Sequence, residues 1–192
     1  MDGELLVWIN QGWAHPWLDS YFFRVSEKLG FSFPLILLII LTLGRLYGRA
    51  GWQSGLALLL LVALGDFTGS LLKDLFAMPR PCLDWAEQLR RWDGGAYIAC
   101  QESSSGMPSN HALNFFSTFV FMSLLLRRWY WTVLFLFLAV SVALSRIYLG
   151  SHFPSQVLAG VGFGLVFGLV YVYLCRRHFT FMQDVQYQRG RS

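Results

Sequence analysis

The chain has 192 residues and a net charge of +4; 55% of it is hydrophobic and only 14% charged, with a mean hydropathy of +0.47. That balance excludes an ordinary soluble domain and fits an all-α, polytopic membrane helix bundle. The basic residues flank apolar runs instead of covering one soluble face, so a nucleic-acid partner is not expected.

Residues 1–30 carry LLVWIN, a break at His15-Pro16, and then WLDSYFFRVSEKLG. Asp19, Arg24, Glu27 and Lys28 make a poor membrane span. The segment is expected to lie in the interface as an amphipathic helix, with Trp8, Trp13 and Trp17 at headgroup depth. No basic start or small-residue cleavage site marks a removable signal. A transmembrane domain over 31–177 follows, with apolar runs at 32–48, 55–76, 109–126, 129–149 and 155–175. A spanning helix needs about 20 residues, with about 17 as a lower limit. Five spans result, and a sixth if the N-terminal helix inserts.

Arg45 and Arg49, Arg127 and Arg128, and Arg176 and Arg177 fall at the same membrane face on a five-span path. The positive-inside rule makes that face cytoplasmic and puts loop 77–108 and the turn 150–154 on the opposite, periplasmic face of a bacterial inner membrane. Gly160, Gly164 and Gly168 form one small-residue stripe suited to close helix packing. The polar tail, 178–192, is expected to be cytoplasmic and mobile. Cys82 and Cys100 share the outer loop, where a disulfide can persist, whereas Cys175 is expected to stay reduced. No zinc-type spacing is present.

Chemistry-bearing residues gather at three helix ends on the outer face. The second run ends GDFTGSLLKDLFAMPRPC, with Lys73 in its last turns and Arg80 seven residues later. In SSSGMPSNHALN, Pro108 suits a first helical turn, so Ser109 and His111 are expected within that turn. A helix start offers unpaired N–H groups to an oxyanion. In SRIYLGSHFPSQ, Arg146 closes one run and His152 precedes the next. Either cation site alone fits a solvated interface anchor. Together, two arginines, a lysine, a serine and a helix start make a phosphate cradle, and two histidines suit attack on phosphorus and protonation of a leaving oxygen.

Lys73-x6-Arg80-Pro81, Pro108-Ser109-Asn110-His111 and Ser145-Arg146-x5-His152 together resemble the three-part signature of the type 2 phosphatidic acid phosphatase superfamily, whose helical core is shared with vanadium haloperoxidases. The resemblance covers about residues 55–175. It implies an integral membrane lipid phosphatase that needs no metal or other cofactor. Its implied substrates are lipid phosphates or diphosphates, such as undecaprenyl diphosphate, phosphatidylglycerol phosphate or lipid A 1-phosphate. Lys73, Arg80 and Arg146 are implied to hold the phosphate, with Ser109 and the backbone near Asn110. His152 is the implied nucleophile of a phosphohistidine intermediate, and His111 the implied general acid. A phosphotransferase using the same intermediate, or a binding or transport protein impaired in turnover, shares these motifs.

One departure stands out. Gln156 occupies the place of the family's usual aspartate, four residues after the nucleophilic histidine. Its amide oxygen can accept from the imidazole but carries no charge, so slower turnover, a substitute carboxylate or a relaxed requirement is expected. Asp66, Asp74 and Glu102 are the nearby carboxylates. Asp66 is expected to partner polar groups on its own or a facing helix, Asp74 to lie on the surface, and Asn114 to line the site or make an interhelical contact. LDWAEQLRRW, in the outer loop, suits a short amphipathic lid helix.

Overall fold

A computed structural model describes residues 1–90 and 105–189. Among the described residues the secondary structure is helical throughout: α1 (Asp2–Gly12), α2 (Pro16–Ser26), a π-turn (Lys28–Ser32), α3 (Phe33–Phe76), α4 (Pro81–Asp84), a 3-10 turn (Ala86–Gln88), α5 (Asn110–Leu126), α6 (Trp129–Tyr148), α7 (Pro154–His178) and α8 (Phe181–Arg189). The segments Lys28–Phe76, Trp129–Tyr148 and Pro154–His178 are long and apolar enough to cross a membrane, and Asn110–Leu126 is a shorter apolar helix.

Helix α3 is two antiparallel limbs. Gly48 has φ 51° and ψ −127°, a backbone region open essentially to glycine, and the chain reverses there without the loop expected over 49–54. The limbs close so tightly that a methyl on Gly55 would meet Ile40 at 2.8 Å. The bundle therefore makes five passes. Its outward aliphatic and aromatic side chains, among them Leu38, Leu56, Val166 and Leu169, stay exposed, as a lipid-facing surface requires.

The strongest packing joins α5 to α7 along the glycine stripe. A methyl on Gly160 would lie 2.6 Å from the Ser109 carbonyl, and one on Gly164 2.5 Å from that of Leu113. Small residues let these backbones approach, and Gly160 so sets the depth of the Ser109 turn against α7.

The tail departs from expectation. Instead of a mobile polar segment, residues 181–189 form α8. Phe181, Met182 and Val185 are buried in the same apolar cluster as Leu58, Phe121 and Val172, while Gln186 donates to the Leu124 carbonyl at 3.0 Å. Its few apolar residues recur on one face, which suffices to dock a short helix.

At the other end, α1 and α2 are 11 residues each, below spanning length. His15 caps α2 by accepting the Trp17 N–H through Nδ1 at 3.2 Å. A polar latch holds the pair to α6. Arg90 grips Asp19 at 2.9 and 2.7 Å, Tyr148 donates to Asp19 at 2.7 Å, and Asn10 donates to the carbonyls of Arg90 and Tyr148 at 2.7 Å each. Burial raises the pKa of Asp19, but the hydrogen bonds from Arg90 and Tyr148 outweigh it and hold the carboxyl below its ordinary value.

Candidate active site

Arg146 lies in the last turn of α6. Gly150, at φ 68°, takes the left-handed conformation that ends the helix. The chain then folds back, and the N–H groups of Ser151 and His152 both donate to the Arg146 carbonyl, at 3.0 and 3.1 Å. This double bond fixes His152 beside Arg146 and gives the Arg146-x5-His152 spacing a physical cause.

Gln156 fixes the imidazole. Its Oε1 accepts the Phe153 N–H at 3.2 Å and lies 3.2 Å from His152 Nδ1, while its Nε2 donates to the Pro79 carbonyl at 2.8 Å. A backbone N–H at one end and a carbonyl at the other assign the amide's orientation. Oε1 facing Nδ1 then requires the proton on Nδ1, which leaves the Nε2 lone pair unshared. His152 is buried, and its pKa is held well below the ordinary value by burial first and then by Arg146, Arg80 and Lys73. The ring is a neutral imidazole amid three cations. The Gln156 backbone carbonyl also accepts the Ser109 N–H at 3.1 Å, so one residue joins all three motif segments.

Helix α5 begins two residues later than the position of Pro108 predicts. Ser109 is its N-cap, in extended conformation, and Asn110 its first residue; the bond from Ser109 N–H to Gln156 holds Ser109 outside the helix. His111 sits in the first turn, where N–H groups lack intrahelical partners. The Asn110 side chain turns away, its Nδ2 lying 3.4 Å from the Asp66 carbonyl, so only its backbone faces the expected cradle. Asn114 Nδ2 donates to Asp66 Oδ1 at 2.9 Å. Asp66 thus serves a facing helix and does not bond the imidazole, and Asp74 is exposed.

Lys73 is in the last turn of α3, which stops at Ala77 with φ 46°. The following segment is pinned by Met78 N–H to Ser105 Oγ at 3.0 Å and Gly106 N–H to the Met78 carbonyl at 2.7 Å. Arg80 is thereby held beside the Ser109 turn. Four of the seven buried side-chain polar atoms left unpaired among the described residues are Arg80 Nε, Ser109 Oγ, His111 Nε2 and Arg146 Nε. Buried polar groups are rarely unpaired, and these four come from the same three motif segments that Gln156 joins. A tetrahedral oxyanion supplies the acceptors they lack.

Sequence reasoning missed the turn after α2. Ser26 Oγ accepts from Arg146 Nη1, and Lys28 lines an apolar cleft with His111, Asp66 and Asn114. No spacing in the sequence links Ser26 to Arg146, which lies 120 positions later. The expected lid helix over LDWAEQLRRW is instead a short α-turn, a 3-10 turn and an extended Leu89; the helix is broken at Trp85, and Arg91 and Trp92 lie outside the described residues. So do Cys100, and hence its pairing with Cys82, and Glu102. Cys175 is a buried free thiol.

A helical membrane bundle with unpaired buried polar groups at converging helix ends is the kind of fold that can take an oxyanion. The PAP2 superfamily model matches residues 54–179. The chain is 30% identical over 92% of its length to the lipid A 4'-phosphatase of Porphyromonas gingivalis, covering 75% of that protein. It is 28% identical over 79% of its length to phosphatidylglycerophosphatase B of Bacillus subtilis, covering 72%. The crystal structure of a transmembrane PAP2-type phosphatidylglycerolphosphate phosphatase from B. subtilis superposes with a TM-score of 0.69 at 24% identity, covering 92% of this chain and 85% of that one. Aquifex aeolicus LpxE superposes at 0.66 and 23%, covering 88% and 93%. The chain belongs to the PAP2 superfamily, and it is a bacterial membrane hydrolase of phosphate esters.

Proposed function

We propose that the protein is a lipid phosphatase that releases inorganic phosphate through a phosphohistidine on His152. The observation that carries this reading is the set of four unpaired buried donors and acceptors around an imidazole whose Nε2 is unshared. Lys73, Arg80, Arg146, Ser109 and the first-turn N–H groups of α5 hold the phosphate and neutralise its equatorial oxygens. His152 Nε2 attacks phosphorus in line, the bond from phosphorus to the lipid oxygen breaks, and that oxygen takes a proton from His111. The bound phosphate's negative charge favours the imidazolium form of His111 that this requires. Water then attacks the phosphohistidine, giving its proton to His111, and phosphate leaves.

The arginine pairs at 45 and 49, 127 and 128, and 176 and 177 support an inner-membrane orientation with the site facing the periplasm. On that face a Cys82–Cys100 disulfide brackets the outer loop, and the exposed Trp8, Trp13 and Trp17 of the N-terminal helices lie at the headgroup level. The names of the relatives favour phosphatidylglycerol phosphate and lipid A phosphates, with undecaprenyl diphosphate a third substrate. The test is phosphate released from each lipid by detergent-purified protein in EDTA. Release that His152→Ala abolishes is expected; release surviving in His152→Ala would remove the assigned nucleophile. Transfer to a second lipid without free phosphate would show a phosphotransferase.

A further inference from the structure

The family model begins at residue 54, yet the turn that ends α2 reaches the site. Ser26 takes a hydrogen bond from the Arg146 guanidinium. Two residues on, Lys28 opens the π-turn and stands in the wall of the cleft that contains His111, Asp66 and Asn114. Among the described residues it pairs with no carboxylate. The rest of the cleft is mostly apolar, lined by Phe33, Ile36, Ile39, Phe115 and Leu138, with Ser32, Asn110 and Thr118 as its other polar residues. A positive charge therefore stands with His111 in the wall of a largely apolar cleft.

We infer that Lys28 forms a second anion subsite, one that binds a negative group on the lipid adjacent to the scissile bond. This rests on the phosphatase reading above and narrows its substrate class. In a lipid diphosphate, the cradle holds the terminal phosphoryl group and the Lys28 ammonium holds the inner phosphate. Attack by His152 breaks the bond from the terminal phosphorus to the bridging oxygen. That oxygen stays on the lipid monophosphate, takes the proton from His111, and leaves with the inner phosphate still balanced by Lys28. A phosphodiester one glycerol away, as in phosphatidylglycerol phosphate, presents a negative charge on the same side. A simple lipid monophosphate has none there, and Lys28 has nothing to hold.

The test compares Lys28→Gln and Lys28→Arg with the wild type on farnesyl diphosphate against farnesyl monophosphate, and on phosphatidylglycerol phosphate against phosphatidic acid. For the doubly anionic member of each pair, Lys28→Gln is expected to lower kcat/KM about tenfold, chiefly through KM, as loss of one charge contact from an exposed lysine predicts. The monophosphates are expected to change less than twofold, and Lys28→Arg to restore most of the loss. An equal effect on both members of a pair, or none on either, would overturn the subsite while leaving the phosphatase intact. A wild type that releases no phosphate from these four lipids or from lipid A would overturn the phosphatase reading, and the subsite with it.

Discussion

At position 156 the amide's two ends are committed to opposite partners, the imidazole and Phe153 N–H on one side and the Pro79 carbonyl on the other. A carboxylate accepts at both ends and cannot donate to a carbonyl. In this chain one amide both faces the imidazole and, through Pro79, clamps the segment carrying Arg80. Gln156→Glu is expected to break the Pro79 bond and to place a negative charge beside His152, raising the pKa of that histidine by about 1–3 units. A raised pKa keeps the nucleophile protonated to higher pH, so the acid limb of the kcat/KM profile moves upward; a pH–rate series on the variant and wild type checks it. The cations, both histidines and Gln156 itself were legible in the sequence, because their spacings are short and local. The Pro79 contact was not, since it depends on a carbonyl 77 residues away.

Helices α5 and α7 meet backbone to backbone, and the depth of that contact sets where Ser109 and His111 stand relative to Gln156. Gly164→Leu is expected to destabilise by about 1–3 kcal/mol through overpacking and to lower activity by moving the α5 start, read out by thermal unfolding and phosphate release together. The stripe was legible as packing because three glycines at four-residue spacing have little other use in an apolar helix. Helix α8 was hidden. Phe181, Met182 and Val185 stand among polar and charged residues, and the gain comes from a cluster built by α3, α5 and α7. Met182→Ala is expected to cost about 2–5 kcal/mol, the range for truncating a buried methionine, seen as a lower unfolding midpoint with the site chemistry intact.

Across the whole molecule the N-terminal helices are tied to the site by the Asp19–Arg90–Tyr148 latch, two residues from Arg146, and by Ser26 on the Arg146 guanidinium. Composition and apolar runs gave five passes, but how residues 1–30 dock depends on long-range pairs that have no local pattern. Arg90→Met leaves the Asp19 carboxylate without its ion pair and is expected to cost about 2 kcal/mol, less than a fully buried pair because Arg90 is partly exposed. The Asp19 pKa is depressed in the fold, so its contribution is present above the ordinary aspartate value and lost as pH falls through the lower folded one. Acid scans should therefore release the N-terminal pair in the wild type and show a smaller pH effect in Arg90→Met. All these elements serve one reaction centre, and its most direct test is the site of the phosphoryl group during turnover. Wild-type protein mixed with a hydrolysed lipid phosphate, quenched in alkali and mapped by peptide mass should carry phosphate on His152. Phosphate on His111, or steady turnover with no phosphorylated residue, would contradict the account.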